Sequence, residues 1–243
     1  MGYISTVALL LPVVLIIYLK LYKNRSLLTL MIYYSTAFIY NLMTEKIINL
    51  PLAYVKAFGT ITNLLDVPLS LIYLLYFVKS NSLRKKIHAA TLAFIAFEIL
   101  VTVMFGLGFN AVSIIMGPGI LLVLSLSVLF FIEEIKVVVQ QGKAAGKALM
   151  SASTLFAYGC FLIIYLFYYV LKTPYVKDAF LVYFFITTFA SVLMCAGLIM
   201  EKKRFKILEE IKTTRKELSM LYPNEKMSFS KETAGSLQDD DQY

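Results

Sequence analysis

Seven long apolar stretches, joined by short segments that alternate between many and few lysines and arginines, decide what this chain can fold into. A bilayer core about 30 Å thick needs ~20 apolar residues per helix. Every backbone N–H and C=O inside it must find its partner within the spanning segment. The stretches run from about Tyr3 to Leu19, Leu27 to Met43, Phe58 to Val78, Ala89 to Leu107, Gly119 to Ile135 (with a start as early as Val112), Ala152 to Leu171 and Ala179 to Met200. Within 243 residues they leave room for short loops and a tail. A soluble domain is also excluded by 60% hydrophobic residues, 16% charged residues and a mean hydropathy of +0.78. The expected fold is all-α, an integral membrane bundle of seven transmembrane helices over residues 1–200.

The loops after the first, third, fifth and seventh stretches hold Lys20, Lys23, Arg25, Lys79, Arg84, Lys85, Lys86, Lys136, Lys143, Lys147, Lys202, Lys203, Arg204 and Lys206. The remaining loops hold only Lys46, Lys56, Lys172 and Lys177. Basic residues stay on the cytoplasmic side, so the N-terminus is expected outside and the C-terminus in the cytoplasm of the inner cell membrane. Basic residues follow the first stretch rather than precede it, the reverse of a cleaved signal. A net charge of +8 concentrated beside membrane spans points to anionic lipid and away from nucleic acid. With no tryptophan and 17 tyrosines, tyrosine is expected to take the interfacial aromatic role.

Glu201 to Leu221 carries Phe205, Leu208, Ile211 and Leu218 at near-helical spacing among Lys and Glu. Residues 201–222 are expected as a cytoplasmic amphipathic helix. It could lie on the inner leaflet, form a short coiled coil with a partner, or extend span seven into solvent. Residues 223–243 read as a disordered polar tail.

Chemistry-bearing residues are few. Cys160 and Cys195 fall inside spans and read as packing residues. His88 stands alone beside Arg84, Lys85 and Lys86, so metal hydrolysis lacks its ligands, and Ser70, Ser151 and Cys160 lack a histidine base. No enzyme activity and no cofactor are expected. Glu133 and Glu134 are expected to be solvated at the mouth of span five. The triplet Gly117-Pro118-Gly119 marks the start of that span or a break near its outer end, with Asn110 to Met116 as an interfacial turn.

Ionisable groups in hydrocarbon are costly and therefore functional candidates. Asp66 lies roughly 12 Å into span three at ~1.5 Å per residue, and Glu98 lies near the middle of span four. Asn63 and Ser70 sit one turn above and below Asp66. Asn41 is at a comparable level in span two, with Glu45 one turn outward. Two readings stay open: an outward-opening pocket lined by Asn41, Glu45, Asn63, Asp66, Ser70 and Glu98 that binds a cation, a polar molecule or protons, or a Glu98 that only bonds a neighbouring helix. Pro68 leaves the Leu64 carbonyl without its donor and should bend span three near Asp66.

Seven helices with the N-terminus outside, and Asp66-Val67-Pro68-Leu69-Ser70 in span three, resemble the microbial rhodopsins. That family attaches retinal to a lysine midway along helix seven, and here no lysine lies between Lys177 and Lys202, so covalent retinal is excluded. The chain is also similar to small bacterial seven-helix proteins of unassigned function, through its N-terminal span, the basic turn Lys79 to His88 and the Phe131 to Lys136 end of span five. That resemblance implies a multi-pass membrane protein. The expected function is a receptor-like or accessory protein that senses a small ligand or membrane condition and signals through Glu201 to Leu221 to a cytoplasmic partner, with homo-oligomers possible. The alternatives are a small proton-coupled carrier using the same carboxylates and a structural subunit of a membrane complex.

Overall fold

The computed structural model describes residues 2–142, 145–171 and 176–221, and these are helical with no strand among them. The seven helices are α1 (Gly2–Tyr18), α2 (Arg25–Thr44), α3 (Leu52–Leu74), α4 (Asn81–Phe105), α5 (Phe109–Gln141), α6 (Ala145–Tyr165) and α7 (Val176–Leu221). A 3₁₀ turn, Leu75–Phe77, ends α3, and a π turn, Leu166–Val170, ends α6. Six of the helices are long and apolar enough to cross a membrane. The other, α1, has 17 residues, about 26 Å of rise, at the short end of what spans a bilayer.

Local signals set the joints. The Asn24 side chain accepts from the Ser26 and Leu27 amides at 3.0 and 3.4 Å, capping α2. Gly106 (φ 74°) and Gly142 (φ 63°) follow α4 and α5 in backbone conformations that disfavour a Cβ.

Consecutive helices pack side by side, and α7 returns against α1. Since α5 packs directly on α3, the closed ring is α1, α2, α3, α5, α6, α7, with α4 seated outside in the groove between α3 and α5. The ring differs from a soluble bundle in its apolar exterior, around a core that is itself mainly apolar. Its outer surface shows Val7, Val14, Ile61, Leu92, Val103, Leu121, Leu129, Phe185 and Val192, while Ser5, Thr6, Asn41, Ser70, Ser127, Ser153, Thr154 and Ser191 are buried within. An apolar exterior of that extent requires lipid, and inward hydroxyls are the usual glue of membrane helices. Many bond their own helix one turn back, as Thr91 does to the Ile87 carbonyl at 2.8 Å.

Three expectations are corrected. Asn110 to Met116 is not an interfacial turn: α5 runs through Pro118 as one helix, with Ala111, Val112 and Ile115 buried. Proline removes one bond, and flanking contacts hold the rest, since Tyr165 packs over Gly117 and Val67 and Phe94 over Gly119. Glu134 is not solvated but 1% exposed, because it faces the ring interior, whereas Glu133 is exposed. Tyrosine is not only interfacial: Tyr34, Tyr73, Tyr76 and Tyr158 are buried within the bundle, where hydroxyl partners on facing helices are available. The amphipathic segment continues α7 without interruption. The tail, residues 223–243, lies outside the described residues.

Candidate functional site

The α3 sequence sets one polar stripe facing the ring. Asp66, Ser70 and Tyr73 succeed one another at spacings of four and three residues and so share a helix face. Asp66 faces the hydroxyls of Tyr158 on α6 and Tyr33 on α2, and Tyr183 of α7 lies within its field. One turn on, Ser70 Oγ and the Tyr158 hydroxyl share a 2.5 Å hydrogen bond. The Tyr73 hydroxyl donates to Met194 Sδ on α7 at 3.8 Å. Ser153 of α6 donates to the Ala190 carbonyl of α7 at 2.7 Å. Four helices of the ring therefore meet in one hydroxyl-rich centre.

A cavity of about 30 Å³ lies there, lined by Tyr33, Tyr34, Ser70, Tyr73, Thr154, Tyr158 and Met194 among others. That volume accommodates about two waters and is far below the several hundred Å³ of an organic ligand site. The lining oxygens are tyrosine, serine and threonine hydroxyls, and the Asp66 carboxylate stands outside the lining beside Tyr33 and Tyr158; such hard donors suit water or a small cation.

The six residues picked out in the sequence do not all lie together. Asp66 and Ser70 belong to the centre just described. Glu98 is buried on the inner face of peripheral α4, where Asp66 is the charge whose field reaches it. Its Oε1 is buried without a hydrogen-bond partner. Asn41 instead turns to α1, donating to Ser5 Oγ at 3.5 Å, and Glu45 lies against Gly2. Asn63 is half-buried on α3. Sequence reasoning missed Tyr33, Tyr73 and Tyr158. A signal was present, since tyrosines amid long apolar runs need partners for their hydroxyls.

A second polar cluster closes one end of the ring. Glu201 of α7 is fully buried and accepts from the Tyr76 hydroxyl and from Arg204 Nε and Nη2 at 3.0 and 2.6 Å. Glu134 of α5 and the buried Lys147 of α6 lie in the same electrostatic group. Lys79, just past α3, reaches Glu134 at 3.8 Å. Lys147 Nζ sits 5.1 Å from the Tyr76 ring centre. The α6–α7 contact here is backbone to backbone, since a Cβ on Gly146 would lie 2.6 Å from the Glu201 amide nitrogen.

Among the described residues no group of three or more His, Cys, Asp and Glu could hold a metal. Cys160 and Cys195 are free. No family model matches the chain, and neither a curated protein nor a solved structure matches it.

Proposed function

We propose that the chain spans the inner cell membrane seven times, N-terminus outside and C-terminus in the cytoplasm, as a non-enzymatic receptor-like protein. Its trigger is a proton or a small cation stripped of its water shell, taken up at the Asp66 centre, and its output is the cytoplasmic half of α7. The observation that carries this reading is the continuity of α7. One helix supplies Met194 to the cavity wall, Glu201 to the end cluster and the exposed segment beyond it. A displacement at the cavity is therefore transmitted along a rigid rod rather than through loops. The orientation is supported by the clustering of Lys79, Lys147 and Arg204 at one end of the ring, the end that the positive-inside rule assigns to the cytoplasm. The test is a fluorophore on Thr213→Cys in lipid nanodiscs, titrated with sodium, potassium and acid. A saturable response that Asp66→Asn removes supports the reading; no response to any of the three contradicts it.

A carrier is the second reading, and the partnerless Glu98 Oε1 near Asp66 favours it. Two carboxylates at related depth on α3 and α4 provide successive stations for a proton or cation. Proteoliposome flux lost in both Asp66→Asn and Glu98→Gln would establish it, and absence of flux would dismiss it.

A further inference from the structure

The helix α7 has 46 residues, about 69 Å of rise, against a hydrocarbon core of roughly 30 Å. Because it is one helix through Leu221, its far end projects away from the bundle and does not lie flat on the lipid surface. On that projecting end Ile207, Ile211 and Leu218 are 56%, 41% and 42% exposed. Phe205, by contrast, packs back against the core. Ile207, Ile211, Thr214 and Leu218 follow each other at spacings of four, three and four, the d-a-d-a stripe of a heptad seam. In that register Glu210 occupies a g position and Arg215 the e position five residues later. In a parallel pair these are the two side chains that face across the seam, and their charges are opposite. The same acid in an antiparallel or staggered pair loses that partner.

We propose that this segment docks on the same segment of a second copy as a parallel, in-register two-stranded coiled coil. The membrane supplies what so short a seam lacks. Two copies inserted with one orientation present the segment at the same height and in the same direction, and confinement raises their effective concentration. The inference needs only that α7 crosses the membrane, and it stands whether or not Asp66 binds anything.

The test uses the full chain, with Cys160 and Cys195 replaced by Ala, reconstituted in liposomes with single cysteines placed along the segment. Oxidation is expected to link two copies at Ile207→Cys, Ile211→Cys and Leu218→Cys and not at Glu209→Cys or Thr213→Cys, which lie off the seam. Glu210→Lys should lose the Ile211 crosslink, and adding Arg215→Glu should restore it. Both charge changes are on an exposed surface, so folding of the bundle is unaffected. No crosslink at the seam, equal crosslinking at all five positions, or no effect of Glu210→Lys would overturn the proposal. So would a seam that in native membranes links only to a different protein.

Discussion

The Tyr76 hydroxyl donates to the Glu201 carboxylate, joining the last turn of α3 to the point where α7 leaves the bundle. Arg204, three residues along α7, grips the same oxygen through two nitrogens. The exit angle of α7 is thus fixed by a charge-assisted bond between helices that are not neighbours in the chain.

Breaking this junction should loosen the fold in a graded way. Tyr76→Phe removes one bond to a charged acceptor, a loss of about 1.5–3 kcal/mol. Arg204→Ala leaves Glu201 buried without its counter-charge and should cost more, about 3–5 kcal/mol. Thermal unfolding of the purified protein in one detergent ranks the two. Equal melting of Arg204→Ala and wild type would show that Glu201 has other support.

The α6–α7 crossing depends on two glycines. A Cβ on Gly197 would lie 2.6 Å from Met150 Cγ and 3.0 Å from the Gly146 carbonyl oxygen. Gly197→Ala and Gly146→Ala should each destabilise by about 1–3 kcal/mol through overpacking, and Gly146→Val more. Gly108, with nothing within 4 Å of its Cβ position, is the control, and Gly108→Ala should melt as wild type does.

Ser70 and Tyr158 should behave as one unit. Ser70→Ala and Tyr158→Phe each remove the same 2.5 Å bond, so the double variant should be less destabilised than the sum of the singles. The coupling expected for a bond between membrane helices is about 0.6 kcal/mol and at most ~2. Additive losses in the melting series would mean that the bond contributes nothing.

Orientation is checked by thiol labelling. In a chain with Cys160→Ala and Cys195→Ala, cysteines at Ile48 and Leu107 should react with an impermeant maleimide added outside intact cells. Cysteines at Ser82 and Val139 should react only after permeabilisation. The opposite pattern would invert the topology.

Hydropathy and loop charge were enough to read the helices, because apolar length is a local property of sequence. The ends of α2 and α4 fall within a few residues of where charge and glycine stop the apolar run. Helix rotation was not legible, since it depends on which neighbour each face meets. Asp66 and Ser70 stand out as polar residues in an apolar run, but nothing local in the sequence marks Tyr33 and Tyr158 as their partners. Asn41 matches Asp66 in depth yet points to Ser5 on α1. Glu134 carries the same charge as Glu133 one position earlier, and only the direction of its side chain separates a buried residue from an exposed one. Peripheral placement of α4 was equally hidden, because its apolar length is that of any ring helix.

The most direct test of coupling between the Asp66 centre and α7 is a distance measurement between spin labels at Ser82 and Thr213, in full-length protein diluted with unlabelled copies in lipid. Ser82 reports the start of α4 and Thr213 the projecting end of α7. Asp66→Asn should shift or broaden the distance distribution relative to wild type, since neutralising the centre releases the α7 wall. Superimposable distributions would contradict the account, leaving the polar interior as structural glue and α7 as an independent rod.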